Sequence, residues 1–199
     1  VVKTATTEKY TRRSKQKLVT QKVTTTVTTT TTVAASTQAA TGTASTSSES
    51  KYTVTNIASA APKMDNRVLN AFTKLGFVVK VDSSVSYSGH FDARTGTITM
   101  KKMDETIYHE LGHFLSFIAD YADESAEFVS IYNSEKSKVT GYNKAYVTQN
   151  AAEYFAESVK DYVLNPGSLQ SQRPKTYKAV VNALSKVTAN QIEMYKSFY

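Results

Sequence analysis

Two histidines and a glutamate are the residues of this chain whose types and spacing could do chemistry. They form the pattern HExxH within His109-Glu110-Leu111-Gly112-His113. On a helix, residues four apart lie one above the other, so the two imidazoles can bind one Zn²⁺ ion. Glu110 then lies beside them, able to face a metal-bound water molecule as a general base. The pattern predicts metal-dependent hydrolysis, and the alternative is a chance occurrence of two surface histidines.

The residues around this motif indicate the helix that it requires. Apolar side chains recur at helical spacing and form a stripe that the two histidines do not share. They are Ile107, Leu111, Phe114, Leu115 and Ile118. We expect this stripe to anchor the helix to a core while the opposite face lines a cleft.

A catalytic zinc takes three protein ligands and keeps one position open. The extended motif with a third histidine is absent, because Ser116 and Ala119 occupy the positions of its Gly and His. The remaining histidine, His90, lies upstream in a predicted hairpin, and we interpret it as a surface residue. A carboxylate from a later helix is therefore the candidate for the third ligand.

The best candidates are Glu153 and Glu157, which share one face of a predicted helix from Ala151 to Leu164. Asn150 is a good N-cap for this helix. Two like charges on one face are unfavourable unless a cation or a histidine N–H lies between them. The alternative is a solvated acidic face.

The elements before the motif predict a small sheet. Asp65 can cap a helix ending at Leu75, and Phe77–Val81 is a short strand. Residues 90–92 and 97–100 flank a tight turn and predict a hairpin. We expect Thr97–Met100 to be an edge strand bordering the cleft, where a peptide could bind by β-augmentation.

The elements after the motif are predicted to be helical. Asp123 can cap the next helix, the helix Ala151–Leu164 stops at Asn165-Pro166-Gly167, and Pro174 can open another. In that helix Tyr177, Val181 and Leu184 are expected to face inward, and Thr188 can cap the last helix. The fold class is therefore α+β, a zincin-like fold in which a small mixed sheet with an edge-strand hairpin packs on the HExxH helix and precedes a helical C-terminal half.

Residues 1–50 differ in composition from residues 51–199. They carry seven of the 24 Lys and Arg residues and two of the 17 Asp and Glu residues, and Val23–Val33 is almost pure threonine. Such a composition buries too little apolar surface to offset the entropy of ordering, so we interpret residues 1–50 as a flexible basic leader. The alternative is a β-strand, which threonine favours. The catalytic domain would be residues 51–199.

The motif and the later helix together resemble a known family. HELGH followed about forty residues later by AEYFAES is similar to the zinc peptidases related to the anthrax lethal factor catalytic domain, a group that includes the secreted Pro-Pro endopeptidases. The hairpin HFDARTGTITM also resembles the strand before the metal helix of that family. The resemblance covers about residues 65–185 and does not reach the leader.

This resemblance implies a role for each site residue. Glu153, the first glutamate of AEYFAES, would be the third ligand of a single Zn²⁺ ion, and Tyr146, seven residues earlier, would donate a hydrogen bond to the oxyanion. Glu157 would accept the free N–H of a ligand histidine and fix its tautomer. The alternative for Tyr146 is a loop tyrosine without a catalytic role.

We therefore expect a secreted, monomeric zinc endopeptidase acting on protein or peptide substrates. Its signal peptide would not be visible in this chain. We expect no nucleic-acid partner. The positive charge of the leader predicts a loose electrostatic association with an anionic surface. The chain contains no cysteine and no apolar run long enough for a transmembrane helix. The alternatives are a catalytically inactive peptide-binding relative and a surface-attachment protein, the latter suggested by the threonine-rich leader.

Overall fold

The computed structural model describes residues 4–11, 19–26, 53–140 and 143–198. The chain divides into two units, the first formed by residues 1–49 with Phe198 and the second mainly by residues 50–197. The first unit contains strands β1 (Thr4–Thr11) and β2 (Val19–Thr26), which pair antiparallel with Thr4 opposite Thr26. Both segments are rich in Thr, and the second also contains Val; both residue types favour extended backbone.

These two strands lie within the predicted flexible leader. For Thr4–Thr11 and Val19–Thr26 the structure has β-strands, the conformation that the sequence analysis left as the alternative. The other residues of the region 1–50 lie outside the described residues. The division into a leader and a catalytic domain stays a prediction.

The second unit contains a sheet and a series of helices. Its strands are β3 (Thr53–Thr55), β4 (Val78–Val81), β5 (Gly89–Asp92) and β6 (Thr97–Met100). Its helices are α1 (Ile57–Ala60), α2 (Asn66–Lys74), α3 (Thr106–Ile118), α4 (Ala126–Glu135), α5 (Lys144–Val147), α6 (Ala151–Leu164), α7 (Pro166–Gln172), α8 (Pro174–Lys186) and α9 (Ala189–Lys196). The sheet precedes a helical C-terminal half, so the predicted α+β class is confirmed.

The sheet has the strand order β3-β4-β6-β5 and is mixed, since β4 and β6 are parallel and the other pairs are antiparallel. The prediction that Thr97–Met100 is an edge strand is therefore wrong. That strand, β6, is internal, because β4 pairs with the side of β6 that β5 leaves open. Ile98 and Met100 are fully buried, as an internal strand requires. The edge of the hairpin is β5, Gly89–Asp92.

Helix α3 packs between the sheet and the later helices. The predicted stripe is confirmed, since Ile107, Leu111, Phe114, Leu115 and Ile118 are all buried. Phe114 contacts a cluster of aromatic rings from α2, the sheet and its own helix, with centroid separations between 5.1 and 6.3 Å. This core fixes the orientation of α3, and with it the direction in which the motif faces.

The capping predictions for the helices are confirmed in most places. Asp65 caps α2, Asn150 caps α6 and Thr188 caps α9, each by accepting a backbone N–H near the start of its helix. The helix of residues 151–164 ends where predicted, but Pro166 then opens α7 directly.

Two predictions about the helical half are wrong. Asp123 does not cap α4; it is buried and hydrogen-bonds with Ser116, and Ser125 caps the helix instead. Val181 is 38% exposed, whereas Val180 on the same helix is buried. None of the helices within the described residues has the length and apolar composition that crossing a membrane would need.

Candidate metal centre

His109 and His113 lie one turn apart on α3, with ring centroids 5.0 Å apart. The Nε2 atoms of His109 and His113 are 3.2 and 3.8 Å from Oε2 of Glu153, which α6 contributes. One ligand atom from each of the three residues lies within 4.8 Å of the others, so this group could hold a metal ion. The predicted trio is thus brought together from two helices that lie far apart in the sequence.

The two helices approach each other closely beneath this group. Gly112 of α3 lies directly against the backbone of Ala156 of α6. Because Gly112 stands between the two histidines, and Ala156 between Glu153 and Glu157, the contact sets the distance between the imidazoles and the carboxylates.

Glu157 contacts the other nitrogen of His109. Its Oε2 atom is 2.8 Å from Nδ1, and its Oε1 atom is 3.3 Å from Nζ of Lys160. A carboxylate at this place favours a proton on Nδ1, so Nε2, which faces Glu153, is the nitrogen that a metal ion could bind in place of a proton. The structure therefore makes the contact that the sequence analysis expected for Glu157.

Carboxylates make the site electrostatically suited to a cation. Burial alone lowers the pKa of His109, but the hydrogen bonds to Glu153 and Glu157 outweigh it and raise the pKa to about 9. The hydrogen bonds from His109 and His113 hold the pKa of Glu153 well below its usual range. The carboxylates thus stabilise a positive charge on His109, and a metal ion would supply that charge without the protons.

Glu110 lies next to His109 on α3 and is only 4% exposed. Burial raises its pKa, the strongest influence on this carboxyl group. It packs against Gly89 of β5, so the edge strand covers the side chain. A buried carboxylate with a raised pKa is a suitable acceptor and donor of a proton.

Tyr146 lies on α5, with its ring centroid 6.4 Å from that of His109. It is 55% exposed, and burial of the hydroxyl and its hydrogen bond with Glu153 raise the pKa of Tyr146 to about 12. Its hydroxyl is therefore protonated at neutral pH and close to the trio. The structure places Tyr146 beside the trio, and its catalytic role stays a prediction.

His90 is exposed on β5, in agreement with the sequence analysis, and its ring lies 5.6 Å from that of Tyr87. It nevertheless lies near enough to the site to be among the groups around the Glu110 carboxyl. It does not belong to the group of possible metal ligands.

Two glycines that were not predicted as site residues, Gly89 and Gly112, make room at the site. A glycine inside a strand often marks a close approach by another group, and this signal was available at Gly89. At Gly112 the sequence signal for a close approach was weaker, because Gly112 lies inside the HExxH motif and the motif already explains the residues around it.

Two comparisons with known proteins bear on the identity of the chain. A family model described as "Anthrax toxin lethal factor, N- and C-terminal domain" matches residues 3–183. The match extends into the region of residues 1–50, so the expectation that the resemblance stops short of the leader is wrong. A search of curated proteins finds no match.

Proposed function

Because the chain belongs to the anthrax toxin lethal factor family, we propose that it is a zinc-dependent endopeptidase that hydrolyses peptide bonds of protein substrates. The observation that carries the proposal is the approach of His109, His113 and Glu153, with Glu110 beside them. Two imidazoles, one carboxylate and a neighbouring glutamate form the donor set of a catalytic zinc with its general base.

The separations between donor atoms support zinc as the metal. Ligands about 2.0–2.1 Å from a tetrahedral zinc ion lie roughly 3.3 Å from each other. The Nε2 to Oε2 distances of 3.2 Å for His109 and 3.8 Å for His113 are close to this value. Zinc bound there would polarise the scissile carbonyl group and lower the pKa of a water molecule towards neutrality.

Glu110, Tyr146 and Glu157 would then each have a different role in the reaction. Glu110 takes a proton from the attacking water and delivers it to the leaving amine. Tyr146, protonated because its pKa is about 12, donates a hydrogen bond to the oxygen on which negative charge develops. Glu157 holds His109 in the tautomer that directs Nε2 into the site.

The peptide substrate would bind along β5. This strand is the sheet edge on the side of the hairpin, and its residue Gly89 contacts Glu110. A peptide that adds to the edge by backbone hydrogen bonds brings its chain close to the general base, whatever its side chains are. This moves the predicted peptide-binding strand from Thr97–Met100 to Gly89–Asp92.

The setting of the enzyme follows from the same family assignment. We expect it to be secreted, since the zinc peptidases that it resembles act outside the cell that makes them. The basic region before residue 51 would attract the protein loosely to anionic surfaces, and the catalytic unit would act as a monomer. No nucleic acid is expected as a partner.

The experiment is cleavage of casein or a peptide library by the full chain, with and without a chelator. We expect chelator-sensitive cleavage that is lost in Glu110→Gln while zinc stays bound. Glu127→Gln, which changes an exposed glutamate of α4, is the matched control and should keep full activity. Mass spectrometry of the products then gives the preferred bond.

Two results would contradict the proposal, and each points to one alternative. Protein that binds zinc but cleaves no peptide would be an inactive peptide-binding relative. Protein that binds no zinc would favour a surface-attachment role.

A further inference from the structure

The edge strand β5 contacts Glu110 through a residue that has no side chain. A Cβ atom placed on Gly89 would lie 2.6 Å from Oε1, 2.9 Å from Cγ and 3.0 Å from Cδ of Glu110. These three atoms are the nearest neighbours of the added Cβ, and side chains do not approach each other so closely. Any residue other than glycine at position 89 must therefore displace the Glu110 side chain or the strand.

The backbone conformation does not explain this glycine. Among the glycines of the described residues, those with positive φ are Gly76 and Gly96. Gly89 has an ordinary strand conformation and pairs with Met100 in the antiparallel ladder. Since an alanine could adopt this conformation, and since glycine weakens a strand interior, the space for Glu110 is the physical reason for glycine here.

Glu110 would have to move within a buried space to avoid a Cβ atom on residue 89. It is 4% exposed, and the next residue, Leu111, is fully buried in the core beneath α3. Its other sequence neighbour is His109, whose ring is held by Glu153 and Glu157. The absence of a side chain at Gly89 therefore determines where the Glu110 carboxylate lies.

We propose that Gly89 is a positioning residue: its missing side chain sets the place of the Glu110 carboxylate relative to the His109, His113 and Glu153 group. The proposal rests on the function proposed above, in which Glu110 is the general base. A displacement of the base by about 1 Å costs on the order of 10²-fold in rate. The three metal ligands are not among the atoms that an added Cβ would meet first, so zinc binding should persist.

The test compares Gly89→Ala with Gly167→Ala in the full chain. Gly167 also has an ordinary φ, and a Cβ there would meet nothing within 4 Å, so it is a matched control. For Gly89→Ala we expect a fall in kcat on the order of 10²-fold with unchanged zinc content and little change in KM. Gly167→Ala should behave as the parent protein. Full kcat in Gly89→Ala would overturn the proposal.

A thermal-unfolding cycle tests the contact without any measurement of activity. Glu110→Ala removes the three atoms that the added Cβ would meet. We expect Gly89→Ala to lower Tm when Glu110 is present and to leave Tm nearly unchanged in the Glu110→Ala background. An equal loss of Tm in both backgrounds, or failure of both Gly89→Ala proteins to fold, would overturn the proposal; folding of the double variant alone would support it.

The two measurements separate the two proposals. In one outcome the parent protein cleaves no peptide, and Gly89→Ala lowers Tm only when Glu110 is present. The proposed function then fails, and the close contact stands. If the parent protein is active but the Tm effects are independent, the endopeptidase stands and the positioning role of Gly89 fails.

Discussion

A Cβ atom on Gly112 would lie 2.7 Å from both the Cα atom and the carbonyl oxygen of Ala156. These are backbone atoms, which cannot rotate aside as the end of a side chain can. Helices α3 and α6 are therefore too close at this point for a side chain on residue 112. The distance between the histidine pair and Glu153 depends on this contact.

Gly112→Ala should therefore separate the two helices. We expect a loss of about 1–3 kcal/mol in the free energy of unfolding, because the added methyl group overpacks the interface. Zinc binding should weaken as well, since the His ligands move away from Glu153. Urea denaturation and a zinc titration measure the two effects, and Gly167→Ala is the control. A variant with parental stability and zinc affinity would show that the contact of Gly112 with Ala156 does not set the distance between the histidines and Glu153.

Glu157→Gln should lower zinc affinity about tenfold to a hundredfold, because His109 loses the carboxylate that orients its ring. A competition titration with a chromogenic chelator measures the dissociation constant. The control is Lys160→Met, which removes the other ion pair of Glu157 and leaves the contact with His109 in place. If Lys160→Met raises zinc affinity by as much as Glu157→Gln lowers it, Glu157 acts through the charge of the helix surface and not through His109.

Tyr146→Phe should lower kcat by about 10²- to 10³-fold with little change in KM, because the hydroxyl acts in the transition state. Zinc content and Tm should stay at the parental values, since the ring is more than half exposed. Tyr177→Phe, on α8 against Tyr162, is the control for loss of a tyrosine hydroxyl. Equal loss of kcat in the two variants would contradict a specific role for Tyr146.

The parts of the fold that the sequence predicted are those that depend on local chemistry. Asn150 accepts the N–H of Glu153 at 2.8 Å, and this cap fixes where α6 begins. The start of α6 in turn fixes which face carries Glu153 and Glu157. Periodicity and capping therefore predicted that Glu153 and Glu157 share one helix face, and the family resemblance supplied their expected roles.

The parts that the sequence did not predict depend on contacts between distant segments. The hairpin of β5 and β6 was predicted, but the parallel pairing of β4 with β6 decides which strand is the edge, and no local signal reports it. Aspartate is a residue type that often caps helices, yet Asp123 is buried and hydrogen-bonds with Ser116. The contacts of Gly89 and Gly112 likewise depend on how close two backbones lie.

A buried glutamate outside the candidate site stabilises the helical half. Glu135, at the end of α4, is only 2% exposed and accepts hydrogen bonds from the backbone N–H and the hydroxyl of Thr176, at 3.0 and 2.8 Å. Pro174 has no N–H, so Lys175 and Thr176 carry the first backbone N–H groups of α8. The side chain of Arg173, the residue before the helix, does not cap them. Glu135 thus supplies from α4 the cap that α8 lacks.

This contact predicts a pH-dependent stability. Burial raises the pKa of Glu135, but the hydrogen bonds from Thr176 outweigh it, so the pKa is lower than the ordinary value of 4.5. A lowered pKa in the folded state means that the carboxylate stabilises the protein above about pH 4.5. This contribution is lost as the pH falls through the lower folded-state value.

Glu135→Gln should therefore lower the free energy of unfolding by about 1–3 kcal/mol at pH 7, because the charged acceptor is lost. The difference between variant and parent should shrink as the pH falls below about 4.5. Urea denaturation at several pH values, with chelator present so that zinc release does not contribute, measures it. Glu127→Gln on the exposed face of α4 is the control. A difference of the same size at pH 7 and at pH 3 would mean that the cap does not depend on the charge of Glu135.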